Sequence, residues 1–240
     1  MLTAFDWLLF ALVVVGLPLR ALHAMRTLKR SSPDEAAALR PRLWRRAILT
    51  QWLLVAAIAA LWIVQKRGWS WLNLTAGWAW GCGGVVAGVA MIAGAMHVQR
   101  SQLPSRPDVV TRLRQRLASV ESLMPHARTE FAGFAVLAFT AGICEEVLFR
   151  GFITWLLAHV LPSYALACLV QAVLFGLAHV YQGPRGIVLV GTVGLFLTGI
   201  VWVTGSLWPA MLVHALMDLN AGDLAMRVYS LPAPATDGSA

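Results

Sequence analysis

Apolar runs of roughly 20 residues recur along this chain, each long enough to cross the hydrocarbon core of a bilayer as a helix. Few other structures are open to such runs, because inside lipid every backbone N–H and C=O needs an internal partner. The first run covers about Leu2–Ala21 and the second about Ala47–Val64. The third, about Trp78–Met96, is rich in glycine (Gly81, Gly83, Gly84, Gly88, Gly94), which allows close helix packing. From Glu130 the chain is apolar almost to its end. Phe131–Leu161 exceeds one ordinary span and carries Glu145, Glu146 and Arg150 at its middle, so it is read as two helices meeting near that charged group. Further spans fall at about Tyr164–Val180, Gly186–Thr204 and Leu207–Val228, punctuated by Gly183-Pro184 and Gly205-Ser206. The expected fold is all-α: a polytopic transmembrane helical bundle of seven to eight spans, with functional groups converging from several helices.

Composition agrees. With 59% hydrophobic and 12% charged residues the chain lacks the polar surface of a soluble domain, where about 25% of residues are charged. The net charge of +8 invites a nucleic-acid reading, but its placement argues against one. Of 19 Lys and Arg, eight lie from Arg20 to Arg46 and six from Arg100 to Arg128, while only Lys66 and Arg67 occupy the loop between. Alternation of this kind is the positive-inside pattern, with two basic cytoplasmic loops and the N-terminus outside. Ser31-Ser32-Pro33-Asp34-Glu35 reads as the cap and start of a short helix in the first loop. Gln99–Arg128 reads either as an interfacial amphipathic helix or as a solvated linker. Met1–Leu19 carries Asp6, lacks a basic leader and has no cleavage site, so it is expected to be retained as a span. Three regions follow: membrane helices with basic loops over 1–128, a polar-bearing core over 129–230, and a disordered tail over 231–240. Cys82, Cys144 and Cys168 show no metal or redox spacing and read as small packing residues, Cys144 beside Glu145 included.

The core holds the informative residues. An ionisable group at mid-membrane costs about 2.5–3.5 kcal/mol even on the lenient insertion scale. Glu145, Glu146, Arg150, His179, His214 and Asp218 together reach roughly 15 kcal/mol, comparable to a whole protein's net stability. Such a set persists when its members pair and line a wet cavity. Glu146 and Arg150 are four apart on one helical face, acid before base, which suits an ion pair. Glu145 is turned about 100° from Glu146 and is free to point elsewhere. Phe175 and His179 are four apart, as are His214 and Asp218. Taken singly, these are a buried pair, a core histidine and an interhelical clip; taken together, they leave Glu145 without a neutralising cation. His97 and His159 lie near span ends and read as interfacial.

At these residues the chain resembles the CPBP family of CAAX proteases and bacteriocin-processing enzymes, also called Abi. Its three motifs, E-E-x-x-x-R, F-x-x-x-H and H-x-x-x-N or -D, stand here as Glu145-Glu146-Val147-Leu148-Phe149-Arg150, Phe175-Gly176-Leu177-Ala178-His179 and His214-Ala215-Leu216-Met217-Asp218. The neighbouring Phe149-Arg150-Gly151 and Trp208-Pro209-Ala210 also look like the family. The resemblance covers about Phe131–Leu224 and implies a glutamate-dependent intramembrane endopeptidase. In that reading Glu145 is the base that activates water, His179 helps to hold the water, His214 and Asp218 stabilise the oxyanion, and Glu146 and Arg150 order the site. Asp218 stands where better-understood members have Asn, and a carboxylate donates a hydrogen bond only when protonated. It is therefore expected to orient His214, which does the donating. The implied substrate is a membrane-associated protein or peptide, processed at a CAAX-type or C-terminal sorting tail. Membrane lipid is the other expected partner. The implied location is the cytoplasmic (inner) membrane of a bacterium, as a multi-pass protein.

No cofactor is implied, although a zinc-dependent peptidase stays open because His214 and Asp218 share a face. No H-E-x-x-H occurs. Serine-type proteolysis wants a Gly-x-Ser-Gly element, and Ser206 is followed by Leu207. Aspartyl-type wants a dyad across helices, and Asp218 and Asp223 share one segment. A non-catalytic immunity or scaffold protein is the alternative from another class. A transporter shows no internal repeat to support it. If Phe131 enters from the cytoplasm, Glu145 lies about 21 Å along the helix, past the midplane of a core about 30 Å thick.

Overall fold

The structure, a computed structural model, describes residues 2–74 and 107–231, and between them only residues 86, 89, 90, 93, 94, 96–98 and 101. Regular structure among the described residues is helical throughout. Helix α1 runs over Ala4–Arg30 with one π-helical stretch at Leu12–Gly16, and α2 over Pro33–Val64. A short α3 at Pro107–Leu117 follows, then α4 over Arg128–Ala158, α5 over Tyr164–Ala178, α6 over Gly183–Thr204 and α7 over Leu207–Ser230.

Four helices are long and apolar enough to cross a membrane: α1, α2, α4, and α6 with the 3-10 turn before it. The protein is therefore a multi-pass, all-helical membrane protein. The expected seven to eight spans are not all shown. The glycine-rich third run lies outside the described residues apart from a few positions, and so does the tail beyond Leu231. Helix α5 has 15 residues, or about 22 Å, less than the apolar core of a bilayer. Helix α7 carries Asp218 at its middle and Asp223 and Arg227 in its second half.

Two expectations change. Arg20–Arg46 is helical apart from Ser31 and Ser32, and the cap at Ser32 starts the 32-residue α2 instead of a short loop helix. Ser32 Oγ accepts from the Glu35 N–H, Glu35 Oε2 accepts from the Ser32 N–H, and Pro33 takes the first helical position. The second change is that α4 is one rod rather than two helices meeting. Its charged middle is accommodated without a break because Glu146–Ile153 winds as a π-helix, and the polar side chains find partners on other helices. All eight residues of that stretch are buried, making it the axis of the core. Such π segments inside α-helices recur at functional sites.

Packing around α4 positions everything else. Gly142 meets α7 so closely that a Cβ there would lie 2.7 Å from both the Cβ and backbone N of Ala215. Helices α5 and α6 approach in the same way at Gly176, where a Cβ would lie 2.6 Å from the Ile187 carbonyl oxygen. Small residues thus let helix backbones touch where lipid supplies no drive to associate. At the end distant from the basic segments, the Arg67 guanidinium forks onto Asp6 (2.6 and 2.8 Å) and lies over the Trp62 and Trp155 rings. At the other end, Val110 and Leu113 of α3 pack on Val228 and Leu224 of α7, and Arg114 donates to the carbonyls of Val228 and Leu231. Within the segment read as interfacial helix or linker, the apolar face of α3 thus packs on α7.

Candidate active site

Six side chains singled out in the sequence come from three elements, and the fold brings them to one place. Glu145 is the last α-helical residue of α4 before the π turn, and Glu146 is the first within it. Glu146 is fully buried, and its Oε1 accepts from Arg150 Nη1 at 2.9 Å and from His214 Nδ1 at 2.8 Å. Arg150 also donates to the Gly194 carbonyl of α6 at 3.2 Å, and its guanidinium lies 4.0 Å from the centre of the Phe175 ring. Four helices are tied by this one buried pair.

Glu145 points the other way, into a cavity of about 320 Å³ that His179, His214, Asp218 and Tyr181 also line. Its Oε1 accepts from Gln51 Nε2 at 3.1 Å, and its Oε2 lies 4.0 Å from Nε2 of both His179 and His214. The orientation of each imidazole follows from its other nitrogen. His179 Nδ1 lies 2.8 Å from the Phe175 carbonyl oxygen, which only accepts, so Nδ1 carries the hydrogen and Nε2 faces the cavity. His214 Nδ1 donates to Glu146 in the same manner. Phe175 packs against both imidazoles with its ring steeply inclined to each.

The expected partner of His214 is different. Asp218 Oδ2 stands 3.8 Å from His214 Nε2, beyond hydrogen-bond reach, and its side chain is 39% exposed to the cavity. Glu146, not Asp218, fixes the ring, because it occupies Nδ1 from the buried side. Asp223, the other aspartate of α7, is paired with Arg227 at 2.9 Å. Ser206 is buried and accepts from the Trp208 N–H as the cap of α7. His159 bonds the Trp155 carbonyl and packs on Trp155 and Trp71, while His97 is exposed. Among the described residues, no three His, Cys, Asp or Glu side chains converge as a metal ion needs.

Residues 127–220 match the family described as Rce1-like, type II CAAX prenyl endopeptidase Rce1-like. That segment, about two fifths of the chain, is similar to the Rce1-like family. Its limits lie within four residues of those expected from the motifs, and they enclose Glu145, Glu146, Arg150, His179, His214 and Asp218. That description names a CAAX prenyl endopeptidase. No curated protein and no solved structure matches the chain.

Sequence reasoning passed over two cavity residues. Gln51 lies outside the Rce1-like segment, yet it is the hydrogen-bond donor to Glu145. Its signal was available: it is the only Asn or Gln in the apolar run Ala47–Val64. Tyr181 sits two residues past His179 and gave none. The place of Glu145 along the bundle follows from its neighbours on α2. The first turns of α4 flank the polar part of α2, with Glu130 on Arg40 and Phe134 on Trp44. Glu145 is level with Gln51, four residues past Ala47, or about 6 Å into the apolar run. Measured along α2, the site is nearer to Arg46, the last basic residue of that helix, than to its end at Val64.

Proposed function

We propose that the chain is an intramembrane endopeptidase that hydrolyses a peptide bond of a membrane-associated protein with water activated by Glu145. The observation that carries this reading is the Glu145 carboxylate, one oxygen held by Gln51 and the other 4.0 Å from two imidazole nitrogens on a cavity wall. A water within hydrogen-bond reach of Glu145 Oε2 and His179 Nε2 spans that separation at an angle near a right angle. Glu145 takes the water's proton as the oxygen attacks the carbonyl carbon. His179 Nε2 accepts the second hydrogen and orients the nucleophile. His214, protonated on both nitrogens, donates through Nδ1 to Glu146 and through Nε2 to the developing oxyanion. The proton on Glu145 then passes to the leaving amine as the C–N bond breaks. Glu146 and Arg150 are positioning residues, and Asp218 faces the same space. Base and oxyanion donor each contribute about 10²–10⁴ in rate.

The substrate is a CAAX-type or sorting-tail segment reaching the site from the membrane, and the location is the cytoplasmic (inner) membrane of a bacterium. The test compares cells carrying the wild type and Glu145→Gln at matched membrane levels, by mass spectrometry of membrane-protein termini. New termini present with the wild type and lost with Glu145→Gln are expected. Identical termini in both would favour the non-catalytic scaffold.

A further inference from the structure

The cavity does not end at the two histidines. It extends along α1 and α2 past Ala47 to Arg20, His23 and Arg46, where it reaches exposed surface. Arg20 is half-buried and Arg46 exposed, both line the cavity, and among the described residues neither guanidinium meets a carboxylate. The deeply buried arginines Arg40, Arg67 and Arg150 are each paired, with Glu130, Asp6 and Glu146. Two arginines from different helices that line one cavity without a carboxylate between them repel each other, and a bound anion relieves that repulsion. Both lie outside the Rce1-like segment.

We propose that Arg20 and Arg46 form a subsite for a carboxylate of the substrate, at the open end of the cavity whose closed end holds Glu145. The inference rests on the peptidase reading above. Arg46 and Gln51 are five residues apart on α2, about 7.5 Å of rise, so the carboxylate falls about two to three extended residues from the scissile bond. Guanidinium forks match a carboxylate in charge and in plane. Either a free chain end or an acidic side chain supplies that group.

The test uses the full chain in phosphatidylcholine vesicles without anionic lipid, with N-acylated fluorogenic peptides of randomised core. One set ends in a free carboxylate, one in a carboxamide, and one in a carboxamide with Glu or Gln placed one to five residues from the reporter bond. The expected wild-type result is at least about tenfold higher kcat/KM for peptides with a carboxylate two to three residues from the cut. In Arg20→Gln/Arg46→Gln that preference collapses through KM, while carboxamide peptides without Glu are cut at the wild-type rate. A preference for the free acid alone assigns the chain end; an equal preference for placed Glu assigns a side chain. Cleavage lost in Glu145→Gln but indifferent to peptide charge overturns the subsite and leaves the peptidase standing. So does an equal loss on acid and amide peptides in the arginine variant, which makes the arginines lipid-facing or structural. Cleavage unaffected by Glu145→Gln, or absent from the wild type, removes the peptidase reading and this subsite with it.

Discussion

Glu145 and Glu146 are sequence neighbours with opposite surroundings. Glu146 faces inward onto Arg150 and His214, whereas Glu145 faces the cavity with Gln51 as its hydrogen-bond donor. The division follows from helix geometry, since adjacent residues on a helix cannot share a face. It leads to a ranking of variants. Asp218→Asn is expected to retain most activity, because Asp218 makes no hydrogen bond to His214. Gln51→Leu should lose about tenfold in kcat, the order of one hydrogen bond to a charged group. His214→Ala should lose about 10²–10³, as expected for an oxyanion donor. Steady-state rates on a common peptide check the order, and Asp218→Asn falling below His214→Ala would sink the assignment of the donor. The spacing of the motif residues made this site legible in the sequence, because i and i+4 residues share a helical face whatever the tertiary fold. The partner of His214 was not legible, since Glu146 and Asp218 are both carboxylates within plausible reach and only the packing of α7 on α4 chooses between them. Gln51 escaped notice because a single amide in an apolar run looks incidental until the helix it faces is known.

Among the elements, α4 carries the site and α7 completes it, and their separation is set at Gly142. A Cβ at that position would lie 2.7 Å from the Ala215 backbone N as well as from its Cβ. Gly142→Ala should therefore push α7 away from α4, lower stability by about 1–3 kcal/mol and break the Glu146–His214 contact. Trimming the facing side chain in Gly142→Ala/Ala215→Gly should not restore it, because the backbone nitrogen remains in the way. Thermal unfolding in detergent, followed beside cleavage rate, tests both; full rescue by the double variant would show that the backbones are not in contact. Helix identities were readable from the apolar runs, but continuity was not. Polar residues in Arg20–Arg46 and at Glu145-Glu146 looked like interruptions. In the fold the first set extends two helices beyond the apolar run, and the second is carried by a π turn with partners from α2, α6 and α7.

At the scale of the molecule, the helices form a bundle fastened at one end by Asp6–Arg67 and open at the other through a cavity leading from Glu145 to the basic ends of α1 and α2. The Rce1-like segment supplies the catalytic candidates, and the N-terminal helices, outside that segment, supply Gln51 and the wall toward the surface. An isolated segment 127–220 would lack the Gln51 hydrogen bond to Glu145 and about half of the residues that line its cavity. The most direct measurement is the single-turnover cleavage rate of the purified full chain in vesicles, on a peptide found to be cut, with and without excess chelator and in Glu145→Gln. The expected result is a rate unchanged by chelator and reduced at least about 100-fold in Glu145→Gln, with the protein folded to the same thermal midpoint. A rate abolished by chelator and restored by zinc, or one that Glu145→Gln leaves intact, would contradict water activation by Glu145.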